Sequence, residues 1–196
     1  MITRKDFEAI SQWIEPGTSV LDLGCGDGSL LRFLQQGRGI VGYGIENDEA
    51  NVLVCIQNGV NIIQSNLESG LKEIDDGAFD YVILSQTLQA MKRTEAVIGE
   101  MLRAGKEAIV TFPNFGYWRH RVQIAFQGRM PVSDDLPYQW YDTPNVHLCT
   151  VADFDAFCRQ KKLRVLSRLV MHHEREQTIL PNLFGTLALY RLAQDE

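Results

Sequence analysis

Five short apolar runs separated by helical periods constrain this chain more than any other feature: Ser19 to Leu23, Ile40 to Ile45, Val60 to Gln64, Phe79 to Leu84 and Ala108 to Phe112. Each is too apolar for a strand with one wet face, so the pattern predicts a parallel sheet covered by helices on both sides. The segments between the runs carry helix punctuation. Thr3 and Asp6 are spaced like a capping box ahead of Phe7, Ile10 and Ile14, and Pro16-Gly17 stops that helix. Ser29 to Gln36 reads as the next helix, broken by Gly37 and Gly39. Glu46, Asn47 and Asp48 lead into one that Gly59 ends, and Thr94 caps one that Gly105 ends.

The rhythm stops after Phe112. No period survives between Gly128 and Asn145, where Pro131, Pro137 and Pro144 fall, and a loop that long implies a lid or an interface. Thr150 and Asp153 restart a helix with Phe154, Phe157 and Cys158 on one face. Leu163 to Met171 and Leu183 to Leu192 then read as two closing strands. The expectation is a single α/β domain over residues 1–196: a doubly wound, mainly parallel, seven-stranded sheet with a loop-rich insertion over 113–149.

Charge narrows the function classes. Lys plus Arg number 19 against 25 Asp plus Glu, a net charge of −6, which argues against a broad nucleic-acid-binding face. Cys25, Cys55, Cys149 and Cys158 match neither a zinc-ligand spacing nor a dense disulfide framework, so free thiols in a reducing cytosol are expected. The N-terminus lacks the continuous apolar core of a signal peptide, and no run approaches the ~18 apolar residues of a membrane span. A soluble cytoplasmic protein is the expectation.

The segment VLDLGCGDG, Val20 to Gly28, lies at the carboxyl end of the first strand, where doubly wound sheets bind ligands. Gly24, Gly26 and Gly28 permit a tight turn and close approach to a nucleotide. The dinucleotide pattern G-x-G-x-x-G fails at Ser29, and no Lys-Ser/Thr pair supports a phosphate loop. Asp22 and Asp27 flank the glycines. Two unit charges ~4 Å apart interact by about 4 kcal/mol at a protein surface, so a pyrophosphate is repelled. A ligand carrying an amino group and a sulfonium, such as S-adenosylmethionine, is favoured. Glu46, at the end of the second strand, can accept from ribose hydroxyls or cap a helix. Ser65-Asn66-Leu67 can reach an adenine edge or make a turn, and Ser85-Gln86 faces the same cleft.

VLDLGCGDG followed by Glu46 resembles the cofactor half of class I S-adenosylmethionine-dependent methyltransferases over residues 18–112. The resemblance implies that Gly24 and Gly26, with Cys25 between them, lie against the methionine portion. It also implies that Asp22 supports the loop and the ligand's amine, that Glu46 beside Asn47 binds ribose, and that Asn66 and Leu67 border the adenine, with Ser85 in the cleft. The class commonly has Asp where this chain has Asn66, which keeps an acceptor and loses a charge. The runs LSQTLQAM (84–91), TFPNFGYWRHR (111–121), GRMP (128–131) and LPYQWYDTPNVHLCT (136–150) resemble the MetW family of bacterial methionine biosynthesis. That resemblance, over nearly the whole chain, implies a role beside a partner homoserine O-acyltransferase.

Phe112, Phe115, Tyr117, Trp118, Phe126, Tyr138, Trp140 and Tyr141 crowd one stretch of a chain that is 9% aromatic. With Arg119, Arg121 and Arg129 they suit a protein interface, an acceptor pocket, or a lid packed on the sheet. Catalytic signatures are weak. His120, Asp142 and His147 are the candidates, Pro113-Asn114 is not the Asn/Asp-Pro-Pro-aromatic motif of amino-group methyltransferases, and no metal site is expected. His172-His173 would point to opposite faces of a strand. Two readings follow: a cofactor-binding accessory of the acyltransferase, and a methyltransferase acting on a small molecule.

Overall fold

The computed structural model describes residues 5–67 and 71–195. The first half alternates as expected: α1 (Lys5–Trp13), β1 (Ser19–Leu23), α2 (Ser29–Arg38), β2 (Val41–Glu46), α3 (Glu49–Gln57), β3 (Asn61–Gln64), β4 (Phe79–Ser85), α4 (Thr94–Ala104) and β5 (Gly105–Pro113). The second half holds α5 (Trp118–Gln127), α6 (Val151–Gln160), β6 (Leu163–His172), β7 (Arg175–Glu176), α7 (Pro181–Phe184) and β8 (Leu187–Gln194). One eight-stranded sheet has the order β3-β2-β1-β4-β5-β8-β6-β7. Pairs from β3 through β5 are parallel, while β8 runs antiparallel to both β5 and β6.

The alternation of β1 explains how the sheet is covered. Val20 packs with Ile10 of α1 and Leu31 and Leu34 of α2, whereas Leu21 and Leu23 pack with Ile98 and Met101 of α4 and Phe154 of α6. Two apolar layers therefore sandwich the strands. Strand order reverses between β1 and β4, so the carboxyl ends of β1, β2 and β4 surround the switch-point crevice.

Several boundaries differ from expectation. The eighth strand is β7, two residues folded back on β6 after His173 takes φ 51°, and two residues are too short to show a period. Helix α7, begun at Pro181, takes up Leu183 and Phe184 at the start of the run expected to be strand, and β8 begins only at Leu187. The cap of α4 is Arg93, with Thr94 the first helical residue. Helix α2 runs through Gly37 and ends at Gly39, and α5 lies within the segment 113–149 expected to be loop-rich, ending where the stretch without a period begins. The capping box of α6 is as expected, Thr150 and Asp153 each accepting the other's amide. The Thr3–Asp6 box involves Thr3, which lies outside the described residues.

Candidate functional site

The glycine loop joins β1 to α2 and is tied to β2, because the Gly24 and Cys25 amides donate to the Ile45 carbonyl at 2.8 and 3.2 Å. Gly24 has φ 68°, and a Cβ there would sit 2.9 Å from the Thr87 side chain. Gly26 has φ 56° with nothing within 4 Å of where a Cβ would be. Its backbone conformation demands glycine while its open side leaves room for a ligand.

Glu46 ends β2 and binds the loop directly. Oε2 accepts the Gly26 amide at 2.9 Å, while Oε1 accepts the Asn47 and Asp48 amides at 2.7 and 2.9 Å. A carboxylate has about four lone-pair positions, so one remains for a ligand hydroxyl. Of the sequence alternatives for Glu46, the structure shows the helix-start role, since its carboxylate accepts the amides of Asn47 and Asp48. The dedicated cap of α3 is Asp48, whose carboxylate accepts the Asn51 amide.

Asp22 is 2% exposed, and its Oδ1 has no hydrogen-bond partner. Burial, reinforced by the charge of Glu46, pushes its carboxyl up to about 8. Asp22 is thus a buried acid beneath the glycine loop with one unsatisfied oxygen. The Cys25 sulfur lies 3.9 Å from that of Cys55, in the layer beneath the loop, and burial raises both thiols. The Cys25 side chain lines neither of the clefts near the loop.

Two clefts open around this loop. The first, about 410 Å³, is lined by Ile45 and Ile63 of the sheet, by Ser65, Asn66 and Leu67 after β3, and by Leu71, Lys72, Glu73 and Ile74. The Ser65 amide donates to the Glu46 carbonyl at 3.1 Å, linking this cleft to the carboxylate. The second, about 740 Å³, is lined by Gly26, Gln86, Thr87 and Gln89 from the sheet side and by Asp134, Asp135, Tyr138 and Asn145 from the insertion. Among the described residues its lining contains two carboxylates and no Lys, Arg or His. The insertion is fastened above it by the Val146 and His147 amides, which donate to the Gln89 carbonyl at 2.8 and 3.0 Å.

Gly26 lines the second cleft and Asn66 and Leu67 line the first, while Asp22, Gly24 and Glu46 line neither. Asn47 contributes its amide to Glu46, but lines neither cleft. Ser85 faces Thr111, with hydroxyl oxygens 3.3 Å apart. Its neighbour Gln86, at φ 52°, turns into the second cleft and donates to Asp6 of α1 at 3.2 Å. Sequence reasoning missed Thr87, Gln89, Asp134, Asp135 and Asn145, whose convergence depends on how the insertion folds back.

Asn114 organises that insertion. Fully buried, it donates from Nδ2 to the carbonyls of Asn182 and Gly185 and accepts the Gly116 and Val151 amides on Oδ1, joining the end of β5 to α7 and α6. His120 is buried, with Nε2 3.1 Å from the Ser133 hydroxyl, and burial lowers its proton affinity. None of His120, Asp142 and His147 lines the second cleft. His173 leaves the strand, so the His172 and His173 rings sit 4.2 Å apart rather than on opposite faces. Among the described residues, no cluster of three or more His, Cys, Asp or Glu is placed to hold a metal. Nor is any helix among them long and apolar enough to cross a membrane.

The aromatic stretch splits in two. Phe112 and Tyr117 are buried, whereas Phe126, Trp140 and Tyr141 are 85%, 74% and 70% exposed. Trp140 and Tyr141 meet edge to face at 5.6 Å.

Comparison with known proteins identifies relatives of this architecture. The family model described as methionine biosynthesis protein MetW matches residues 4–192. The bifunctional methionine biosynthesis protein MetXA/MetW of Rhodopirellula baltica is 34% identical over 186 residues, covering 90% of this chain and 30% of that protein. Among solved structures, a methyltransferase dependent on S-adenosylmethionine from Archaeoglobus fulgidus superposes with TM-score 0.72 at 15% identity, covering 98% of this chain and 92% of that one. A possible histamine N-methyltransferase from Thermotoga maritima gives TM-score 0.66 at 16% identity, covering 97% and 88%. Identities this low establish a shared fold.

Proposed function

This chain belongs to the MetW family of methionine biosynthesis proteins, and from that premise we propose that it binds S-adenosylmethionine or S-adenosylhomocysteine at the glycine loop and supports a homoserine O-acyltransferase. The observation that carries the ligand reading is the pairing of buried, orphaned Asp22 with Glu46 around an open, positive-φ Gly26. An ammonium would satisfy Asp22, a ribose hydroxyl would take the free position on Glu46, and the cleft beside Asn66 would hold the adenine between apolar walls. Ribose binding through both hydroxyls would require Glu46 to release the Gly26 amide.

The partner reading draws on the Rhodopirellula baltica relative, in which a MetW portion is part of a longer bifunctional protein. This chain covers 30% of that protein, so what the remainder does reaches this chain only as a proposal. The exposed Trp140–Tyr141 pair and Phe126 offer anchors of the kind that dominate interfaces. A cytoplasmic setting accords with Cys25, Cys55, Cys149 and Cys158 as free thiols.

Calorimetric titration with S-adenosylmethionine and S-adenosylhomocysteine tests the ligand reading. Micromolar binding that Glu46→Ala removes supports it, and absence of binding by both the isolated chain and its complex with the acyltransferase rejects it. The second cleft sustains a second reading, a methyltransferase acting on a small molecule, because about 740 Å³ beside Gly26 can house an acceptor. When bound, the sulfonium would supply the methyl group. Methyl transfer to candidate metabolites, lost in Gly26→Arg, would establish that reading.

A further inference from the structure

One wall of the first cleft is built by a segment with no regular structure. Between Leu71 and Ala78 the described chain contains neither helix nor strand, yet Leu71 and Ile74 line the cleft. Such a segment has no ladder or helical bonds to fix its backbone and needs another source of order.

Turn bonds from the Ile74 amide to the Leu71 carbonyl at 2.9 Å and from the Ala78 amide to the Asp75 carbonyl at 3.3 Å supply part of it, and a side chain outside the cleft ties Leu71 and Ile74 to α4. Arg103, in the last turn of α4, donates from Nη1 to the Ile74 carbonyl at 2.8 Å and to Asp76 at 2.6 Å. Nη2 donates to the Leu71 carbonyl at 2.9 Å and to Glu100 at 2.9 Å, and Nε donates to Glu100 at 3.1 Å. The Arg103 carbonyl in turn accepts the Gly77 amide at 2.8 Å. All the donors of the guanidinium fork are therefore matched, and two of the acceptors are carbonyls of the residues that form the wall.

We propose that Arg103 is a positioning residue for the nucleoside subsite, fixing Leu71 and Ile74 at the separation from Ile45 and Ile63 that grips a flat base. The inference rests on the reading of this cleft as the adenosine site. Arg103 lies outside the cleft lining and acts through the backbone it holds. A lysine keeps the charge and reaches Glu100, but one ammonium cannot bridge two carbonyls and two carboxylates in a planar fork. The structural requirement is thus for arginine geometry rather than positive charge.

The test titrates S-adenosylhomocysteine into the wild-type chain, Arg103→Lys, Arg103→Gln and Arg191→Lys, and follows hydrogen exchange of the amides of residues 71–77 without ligand. Arg191 pairs with Glu107 on strands away from the cleft and serves as the control for general destabilisation. The expected result is at least tenfold weaker binding and faster exchange in both Arg103 variants, with Arg191→Lys binding as the wild type does. Should Arg103→Gln fail to fold, Arg103→Lys carries the same comparison. Wild-type affinity in Arg103→Lys overturns the inference alone, as does an equal loss in Arg191→Lys at matched stability. A wild-type chain that binds no S-adenosylhomocysteine overturns the adenosine reading and the inference with it.

Discussion

Glu46 and Gly26, on different elements, are bound through a 2.9 Å hydrogen bond from the Gly26 amide to the Glu46 carboxylate. The end of β2 therefore sets the shape of the loop after β1. Because the same carboxylate accepts the first amides leading into α3, a single side chain couples three pieces of backbone around the crevice.

Replacing Glu46 by Gln should expose that coupling. The amide retains one acceptor oxygen and loses the charge that strengthens each bond. Urea denaturation should show a loss of about 1–3 kcal/mol, and calorimetry should show S-adenosylhomocysteine binding weakened at least tenfold. Unaltered affinity would count against a ligand role for this carboxylate.

Asp22 should make stability depend on pH. Its carboxyl titrates near 3.8 in the unfolded chain and about 8 in the folded one, so between those values the folded state holds the extra proton and stability falls as pH rises. The slope should approach 1 kcal/mol per pH unit. Denaturation midpoints of the ligand-free protein from pH 5 to 8 measure it, and Asp22→Asn should flatten the curve.

Asn114 should be among the costliest polar residues to remove. Asn114→Ala leaves the Gly116 and Val151 amides and the Asn182 and Gly185 carbonyls short of a partner in the interior. The expected loss is about 3 kcal/mol or more. Its signature in hydrogen exchange should be simultaneous deprotection at the start of α6 and around α7.

The paired change Trp140→Ala and Tyr141→Ala separates interface from core. Both rings are mostly exposed, so stability should change by less than about 1 kcal/mol, while pull-down of the homoserine O-acyltransferase should disappear. Full recovery of the partner by this variant would remove the pair from the interface.

Gly26→Arg should abolish ligand binding with little global unfolding. The position lies at φ 56° with open space beyond it, so the arginine side chain projects toward the crevice at a backbone cost of about 1–2 kcal/mol. Circular dichroism and calorimetry on the same sample distinguish loss of fold from loss of site.

Local chemistry wrote much of this architecture into the chain. The strand periods of Ser19–Leu23 and Phe79–Leu84, the capping box at Thr150 and Asp153, and the glycines of the loop depend on neighbours a few residues away, so they were legible before any fold was known. Asp22, Gly24, Gly26 and Glu46 stand out in the sequence for the same reason: a strand end and a tight turn announce themselves by residue type. The short β7, the α7 turn inside an apolar run and the departure of His173 from its strand left no such mark, because each depends on φ choices only the surrounding chain enforces.

The sequence by itself determined the alternation of strands and helices, the crevice at the strand ends and the acidic character of the glycine loop, since periodicity, turn chemistry and charge are local properties. Tertiary structure alone decided that the Cys25 side chain turns toward Cys55 beneath the glycine loop, that Glu46 spends most of its acceptors on backbone, that Asn114 anchors the insertion, and that Arg103 reaches from α4 to hold Leu71 and Ile74. These are matters of which lone pairs and donors meet across distant parts of the chain, and hydrogen-bond satisfaction in a buried interior is settled only once the whole fold is packed.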